Sequence, residues 1–249
     1  MSEKLISIII PTFNGAKCIS DTVTEIHDLL VSSGQKHEIV VVDDCSQDSV
    51  FDVVLNLKIN IVRCVRLAAN KGQHMAIRVG LGVCVGSAAI ILADDGQDNP
   101  NVIPEMIQKW GGGKDIVWAL HAKRVDTFLI KIMSLFFYSI LKCLYKRRIA
   151  FDISRADFAL IDRKVVDTIK TLRSKTIIMP ELLAKLDFSH DFVTYERRPS
   201  GNICSRWSFF KRVKLALIWL MFVCGRESVL IESEDFLYFI EKDSADVYK

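Results

Sequence analysis

Two apolar runs in this chain end abruptly in a pair of carboxylates. Glu38 to Val42 runs into Asp43-Asp44, and Ala88 to Ala93 runs into Asp94-Asp95. The second is followed by Gly96, Gln97, a third carboxylate at Asp98 and the turn-forming pair Asn99-Pro100. Short β-branched or apolar runs bounded by Asp, Gly, Asn and Pro read as buried strands that deliver side chains to one edge of a sheet. In open α/β sheets ligands bind beyond the carboxyl ends of the strands. An oxygen-rich cluster there suits a hard divalent cation, Mg²⁺ or Mn²⁺, and through it a phosphate-bearing ligand. Taken alone, each acidic stretch reads equally well as a solvated turn, because these are ordinary turn residues.

The intervening segments alternate in period. Leu5 to Ile10 predicts a first, central strand stopped by Pro11, with turn chemistry in Thr12-Phe13-Asn14-Gly15. Ile19, Val23, Ile26, Leu29 and Leu30 recur at helical spacing, with Ser20 as the expected N-cap and Gly34 just past the end. A helix is expected over Val50 to Leu57, a strand over Ile61 to Leu67, and a helix over His74 to Cys84 opened by Asn70-Lys71-Gly72-Gln73. After Ala88 to Ala93 come a helix near Ile103 to Trp110, three glycines and a strand from Asp115 to Leu120. Alternation of this kind predicts an α/β fold, Rossmann-like, with a mostly parallel sheet and helices on both faces. No G-x-G-x-x-G follows the first strand and no Walker loop occurs, which disfavours dinucleotide and P-loop sites.

Composition narrows the function further. The 249 residues carry a net charge of only +3, so a whole-protein field for nucleic acid is lacking, and no nucleic-acid partner is expected. The seven cysteines (18, 45, 64, 84, 143, 204 and 224) are scattered without a C-x-x-C pair, and read as small buried hydrophobes in a reducing cytosol. The start of the chain meets Pro11 too early for a secretory signal, so an unprocessed cytoplasmic protein is expected. Two later stretches are apolar with interspersed cations: Phe128 to Tyr145, followed by Lys146-Arg147-Arg148, and Trp207 to Cys224, with Lys211, Arg212 and Lys214. Neither reaches the roughly 20 uninterrupted apolar residues of a spanning helix. Both fit amphipathic helices in a membrane interface; the alternatives are a core helix for the first, and packing on the domain or on a second copy of the chain for the second.

Several segments, in order, resemble the family-2 glycosyltransferases of GT-A fold, in the branch containing dolichol-phosphate mannose synthase and bacterial polyprenyl-phosphate glycosyltransferases. Ile-Pro-Thr-Phe-Asn at 10–14 is similar to the family's first strand and nucleotide-site turn, and Val-Val-Asp-Asp-Cys-Ser-Gln-Asp at 41–48 to its Val-Asp-Asp-Gly-Ser-x-Asp. Asn70-Lys71-Gly72-Gln73 resembles Asn-x-Gly-Gln, and Asp157-Phe158-Ala159-Leu160-Ile161-Asp162-Arg163-Lys164 resembles Asp-Phe-Arg-Leu-x-Asp-Arg-Lys. The stretch at 93–100 is similar to Asp-Ala-Asp-Leu-Gln-Asp-Pro-Pro, with Ala93 in place of the first aspartate.

The resemblance implies a GT-A domain over 1–206, and an amphipathic membrane-interface or packing helix with an acidic tail over 207–249. It implies a nucleotide-sugar donor bound by Pro11, Phe13, Asn14, Asp43, Asp44, Gln73 and Asp94, a metal held by Asp95 and Gln97, and Asp157 as the catalytic acid-base or positioning group. It further implies an inverting transfer to a lipid-linked acceptor, foremost polyprenyl phosphate, at the cytoplasmic membrane surface. Lys123, Arg124, Arg197, Arg198 and Arg206 would meet the acceptor phosphate. His121 and Ala159 stand where the family carries arginines, so two alternatives stay open: extension of a lipid-linked saccharide, and a catalytically weak homologue acting as a binding or regulatory subunit. Self-association is left open as well.

Overall fold

The computed structural model describes residues 4–121, 156–172, 179–198 and 240–244. Its centre is an eight-stranded sheet in the order β7-β5-β6-β4-β1-β2-β3-β8. The strands are β1 (Ile6–Thr12), β2 (His37–Asp43), β3 (Val62–Leu67), β4 (Ala88–Ile91), β5 (Ile116–His121), β6 (Ala156–Asp162), β7 (His190–Tyr195) and β8 (Ile240–Asp243). The helices are α1 (Ile19–Ser32), α2 (Val50–Asn56), α3 (Gln73–Val83), α4 (Ile103–Gly111), α5 (Arg163–Thr171) and α6 (Met179–Lys185).

β1 is buried at all seven positions because it is central and covered on both faces. That is why it reads as a continuous apolar run, the pattern of a parallel strand between two helical layers. One core layer joins Ile8 and Ile10 to Val23, Ile26, Val54, Met106 and Trp110, under α1, α2 and α4. The other joins Ile9, Val40 and Val42 to Ile77, Leu81, Val165 and Ile169, under α3 and α5.

β1, β2, β3 and β4 run parallel, and β6 runs antiparallel between β4 and β5. Sequence order departs from β1 in both directions, through β2 on one side and β4 on the other, so the crevice between the C-terminal ends of β1 and β4 is a topological switch point. The reversed direction of β6 brings its N-terminal end, where Asp157 lies, to the same sheet edge. Its last pairs there are Ala159 with Ile91 and Ala156 with Leu120.

Several expectations change in detail. Pro11 does not stop β1, which continues through it to Thr12 with Pro11 in register with Val42. β4 ends at Ile91 rather than Ala93, because the Ala93 amide is captured by the side chain of Asp98, at 3.0 Å. The N-cap of α1 is Cys18, not Ser20, and makes no side-chain capping bond. Cys18 is disulfide-bonded, against the expectation of free thiols throughout, whereas Cys45, Cys64 and Cys84 are free. Within the stretch expected as an amphipathic helix and acidic tail, 207–249, residues 240–243 form β8, antiparallel to β3. Arg63 pairs there with Asp243, and Arg66 lies 3.4 Å from Glu241. Both cationic apolar segments, 128–145 and 207–224, lie outside the described residues. Among the described residues no helix is long and apolar enough to cross a membrane.

Candidate active site

The site is built where three loops meet at the switch point. After β1 the chain turns at Asn14, with φ +53°, and after β2 at Cys45, with φ +58°. Asparagine tolerates this left-handed region better than most residues. The two turns lock together: the Asn14 amide donates to Ser46 Oγ at 2.8 Å, and the Gln47 amide donates to Asn14 Oδ1 at 2.7 Å. Asp48 completes the lock by accepting from the Ala16 amide at 3.0 Å.

The first carboxylate pair lies beneath this rim. Asp43 is fully buried and accepts from the Ser46 amide at 2.8 Å and from Arg66 Nη1 at 2.8 Å. Arg66 also donates to the Ser46 carbonyl at 2.8 Å, so one guanidinium ties β3 to both ends of the turn. Asp44, equally sequestered, accepts the amides of Lys71 at 2.7 Å and Gly72 at 2.8 Å. Burial pushes its carboxyl above the usual carboxylate range, and those two amides pull it back. Asp43 and Asp44, two of the three aspartates expected at the nucleotide, therefore have their oxygens engaged with protein. Asp44 anchors the loop that places exposed Gln73 at the start of α3.

The second pair occupies the crevice itself. Asp94 Oδ2 accepts from the Thr12 hydroxyl at 2.5 Å, and its carbonyl accepts from Thr22 at 3.2 Å. Gly15 is required beside them: a Cβ there would come within 2.1 Å of Thr12 Oγ1 and 2.3 Å of Asp94 Oδ2. Asp95 Oδ1 accepts from the Gln97 amide at 3.1 Å, a short aspartate turn opened by Gly96 at φ +68°. Its other oxygen has no hydrogen-bond partner among the described residues. Asp98 closes the turn from below: it is buried, and besides the Ala93 amide it accepts from the Tyr195 hydroxyl at 3.3 Å.

An aspartate and a glutamine two residues apart on one turn, both offering oxygen, fit Mg²⁺ or Mn²⁺. Such ions are held by one or two protein groups, with the remaining positions taken by phosphates and water. Among the described residues no group of three or more His, Cys, Asp or Glu side chains is placed to hold a metal. The donor set suits a cation shared with a diphosphate better than a site closed by protein alone.

The other predicted residues divide. Pro11 lies near the C-terminal end of β1, and Phe13 and Asn14 in the turn that follows it. His121 is buried at the end of β5, and Ala159 is buried in mid-β6, so the two positions where the family carries arginine supply no guanidinium. Arg197 is exposed. Arg198, expected to meet a phosphate, is paired through both terminal nitrogens with Glu25 of α1, at 2.8 and 2.6 Å. Lys123, Arg124 and Arg206 lie outside the described residues, as does the side chain of Asp157. Residues that sequence reasoning passed over are Thr12, Gly15, Asp98, Arg66, Tyr195 and Glu25. Most of their partners are distant in sequence; Thr12 and Gly15 carried a local signal only as turn residues, and Asp98 only as the third acid of its stretch.

A doubly wound α/β sheet with acids at the strand ends of its switch point, and no glycine-rich phosphate loop, defines the class of fold to which the chain belongs. The model of glycosyl transferase family 2 matches residues 7–169, and the chain belongs to that family. Over 218 residues it is 30% identical to a bactoprenol glucosyl transferase of Shigella phage SfX, covering 85% of this chain and 70% of the relative. It is 29% identical over 215 residues to an uncharacterized glycosyltransferase of Synechocystis sp., covering 85% and 67%. The chain thus spans about two thirds of the length of the curated relatives it matches. Among solved structures, glucosyl-3-phosphoglycerate synthase from Mycobacterium tuberculosis, in complex with Mn²⁺ and UDP-glucose, superposes with a TM-score of 0.63 at 16% identity, covering 92% of this chain and 81% of that one. Mannosyl-3-phosphoglycerate synthase from Rubrobacter xylanophilus superposes at 0.66 with 17% identity, covering 90% and 74%. At these identities the superpositions show the shared GT-A fold.

Proposed function

We propose that this protein is a metal-dependent, inverting transferase. It moves a sugar from a nucleotide donor to a lipid-linked acceptor, foremost a polyprenyl phosphate, at the inner face of the cell membrane. The observation that carries the reading is the placement of Asp94 and the Asp95-Gln97 turn in the crevice between β1 and β4. A relative from Shigella phage SfX, named a bactoprenol glucosyl transferase, supports the acceptor class.

In this reading Pro11, Phe13, Asn14 and Gln73 surround the nucleoside, with Asp43 and Asp44 holding the loops beneath it. Asp94, already bonded to β1, serves the donor in place of the aspartate that the family carries at the position of Ala93. Asp95 and Gln97 would hold a divalent cation, which would supply charge neutralisation for the leaving nucleoside diphosphate. An acceptor oxygen attacks the anomeric carbon from the face opposite the diphosphate as the bond to the diphosphate oxygen breaks. A phosphate acceptor requires little base strength, which leaves Asp157 mainly a positioning role; a hydroxyl acceptor would give its proton to Asp157. Lys123, Arg124, Arg197 and Arg206 are the cations assigned to the acceptor, and the apolar stretch within 207–249 is assigned to the membrane interface.

The buried His121 and Ala159 favour one second reading, transfer to a sugar already on a lipid carrier, because fewer fixed cations then face the acceptor. Incubating the protein with nucleotide sugars and, separately, polyprenyl phosphate or a polyprenyl-linked saccharide, with and without Mn²⁺, tests both. An acid-labile glycosyl phosphate supports the first, an acid-stable disaccharide the second, and failure of transfer to either acceptor rules both out.

A further inference from the structure

Arg198 makes two contacts that a phosphate-binding arginine would not need. Its guanidinium donates from both terminal nitrogens to the two oxygens of Glu25, at 2.8 and 2.6 Å, and its backbone amide donates to the Gln97 carbonyl at 3.1 Å. The first contact crosses 173 positions of sequence to α1, and the second reaches the turn that carries Asp95. A two-point arginine–carboxylate pair fixes orientation as well as distance. Three residues upstream, Tyr195 donates to Asp98, on the far side of the same turn. The stretch from Tyr195 to Arg198 therefore grips residues 97 and 98 at two successive points, and Glu25 anchors its far end.

We propose that Arg198 is a positioning residue for the Asp95-Gln97 turn. Held by Glu25, it sets the backbone of Gln97 and so the direction of that side chain toward a divalent cation; its charge is used on α1 and not on a substrate anion. The inference rests on the metal-dependent reading above. The carbonyl of Gln97 is immobilised by the Arg198 amide, and that amide stays in place because the side chain of the same residue is tethered. α1 thus acts as the rigid support of a turn that glycine at position 96 would otherwise leave loose.

Charge exchange separates the two roles of this arginine. Glu25→Arg and Arg198→Glu are each expected to weaken Mn²⁺ binding in the presence of UDP roughly fivefold, measured by electron paramagnetic resonance of free Mn²⁺. The doubly exchanged protein is expected to return to within about twofold of wild type, because the pair is restored with its signs reversed. Hydrogen exchange gives a readout independent of ligand: the Arg198 amide should be protected in wild type, unprotected in both single variants and protected again in the double. If Arg198→Glu is damaging alone and in the double while Glu25→Arg is neutral, the guanidinium serves a ligand directly and the inference fails. If wild type binds no Mn²⁺ with UDP, the functional reading fails and takes the positioning role with it, even where the exchange pattern shows the Glu25 tether intact.

Discussion

The hydroxyl of Thr12, at the end of β1, donates to the carboxylate of Asp94, 82 residues later at the end of β4, with 2.5 Å between the oxygens. This contact clips together the two strand ends that form the crevice, and Gly15 leaves the space for it. Gly15→Ala should therefore destabilise the fold by about 1–3 kcal/mol, as overpacking does. It should also lower donor affinity, because the new methyl group displaces either the hydroxyl or the carboxylate. Thr12→Ser keeps the donor and should retain binding, whereas Thr12→Val keeps the shape and should lose it. Calorimetric titration with UDP-glucose and Mn²⁺ across the three variants checks the ordering.

Asp95→Ala removes the carboxylate assigned to the cation. Mn²⁺-dependent nucleotide binding should fall by roughly 100-fold or more, while Gln97→Ala should cost less because an amide oxygen carries only a partial charge. Thermal stability should barely move in either variant, since both side chains sit on a partly exposed turn. Equal Mn²⁺ dependence in Asp95→Ala and wild type would remove this residue from the metal site.

Burial lowers the pKa of His37, His74 and His190, and that of His74 falls to about 4. Nδ1 of His74 accepts from the Met179 amide at 3.3 Å, a contact that a protonated ring could not make. The sign follows from proton counting: between pH 6.5 and 4 the unfolded chain takes up a proton that the folded chain refuses, so stability falls as the pH drops. The contribution of His74 to that fall is at most about 3 kcal/mol. In urea denaturation series at pH 7, 5.5 and 4.5, His74→Asn should show a shallower loss than wild type.

Arg66 neutralises Asp43, which is fully buried, and also meets Glu241 of the terminal strand. Arg66→Met leaves a buried carboxylate without its cation and should destabilise the domain by about 3 kcal/mol. Glu241→Gln removes only the more exposed contact and should cost well under 1 kcal/mol. Denaturant midpoints compared at constant slope test this asymmetry.

Local chemistry explains why so much of the architecture can be read before folding is considered. The strands Ile6–Thr12, His37–Asp43 and Ala88–Ile91 are apolar because both faces are covered, and the paired acids at or just beyond the ends of the last two mark where those strands stop. The aspartate turn at Asp95-Gly96-Gln97 is likewise a property of three adjacent residues. Boundaries are less legible. Pro11 continues a strand that proline chemistry alone would end, since the sheet register with β2 carries through it, and β4 ends early because Asp98 takes the Ala93 amide.

Residue type and spacing alone determined an α/β sheet and carboxylates at two strand ends, because those depend on periodicity and on side chains close together in the chain, and motif resemblance added the family. Tertiary structure alone decided what each carboxylate does. Asp43 is committed to Arg66, Asp44 to the loop before α3, Asp98 to the turn above it and Asp94 to Thr12. Identical carboxylates acquired separate tasks through partners that most of them meet only when distant strands and loops close. A buried acid must take whatever donors the fold brings within reach, and no local pattern in a sequence specifies which those are.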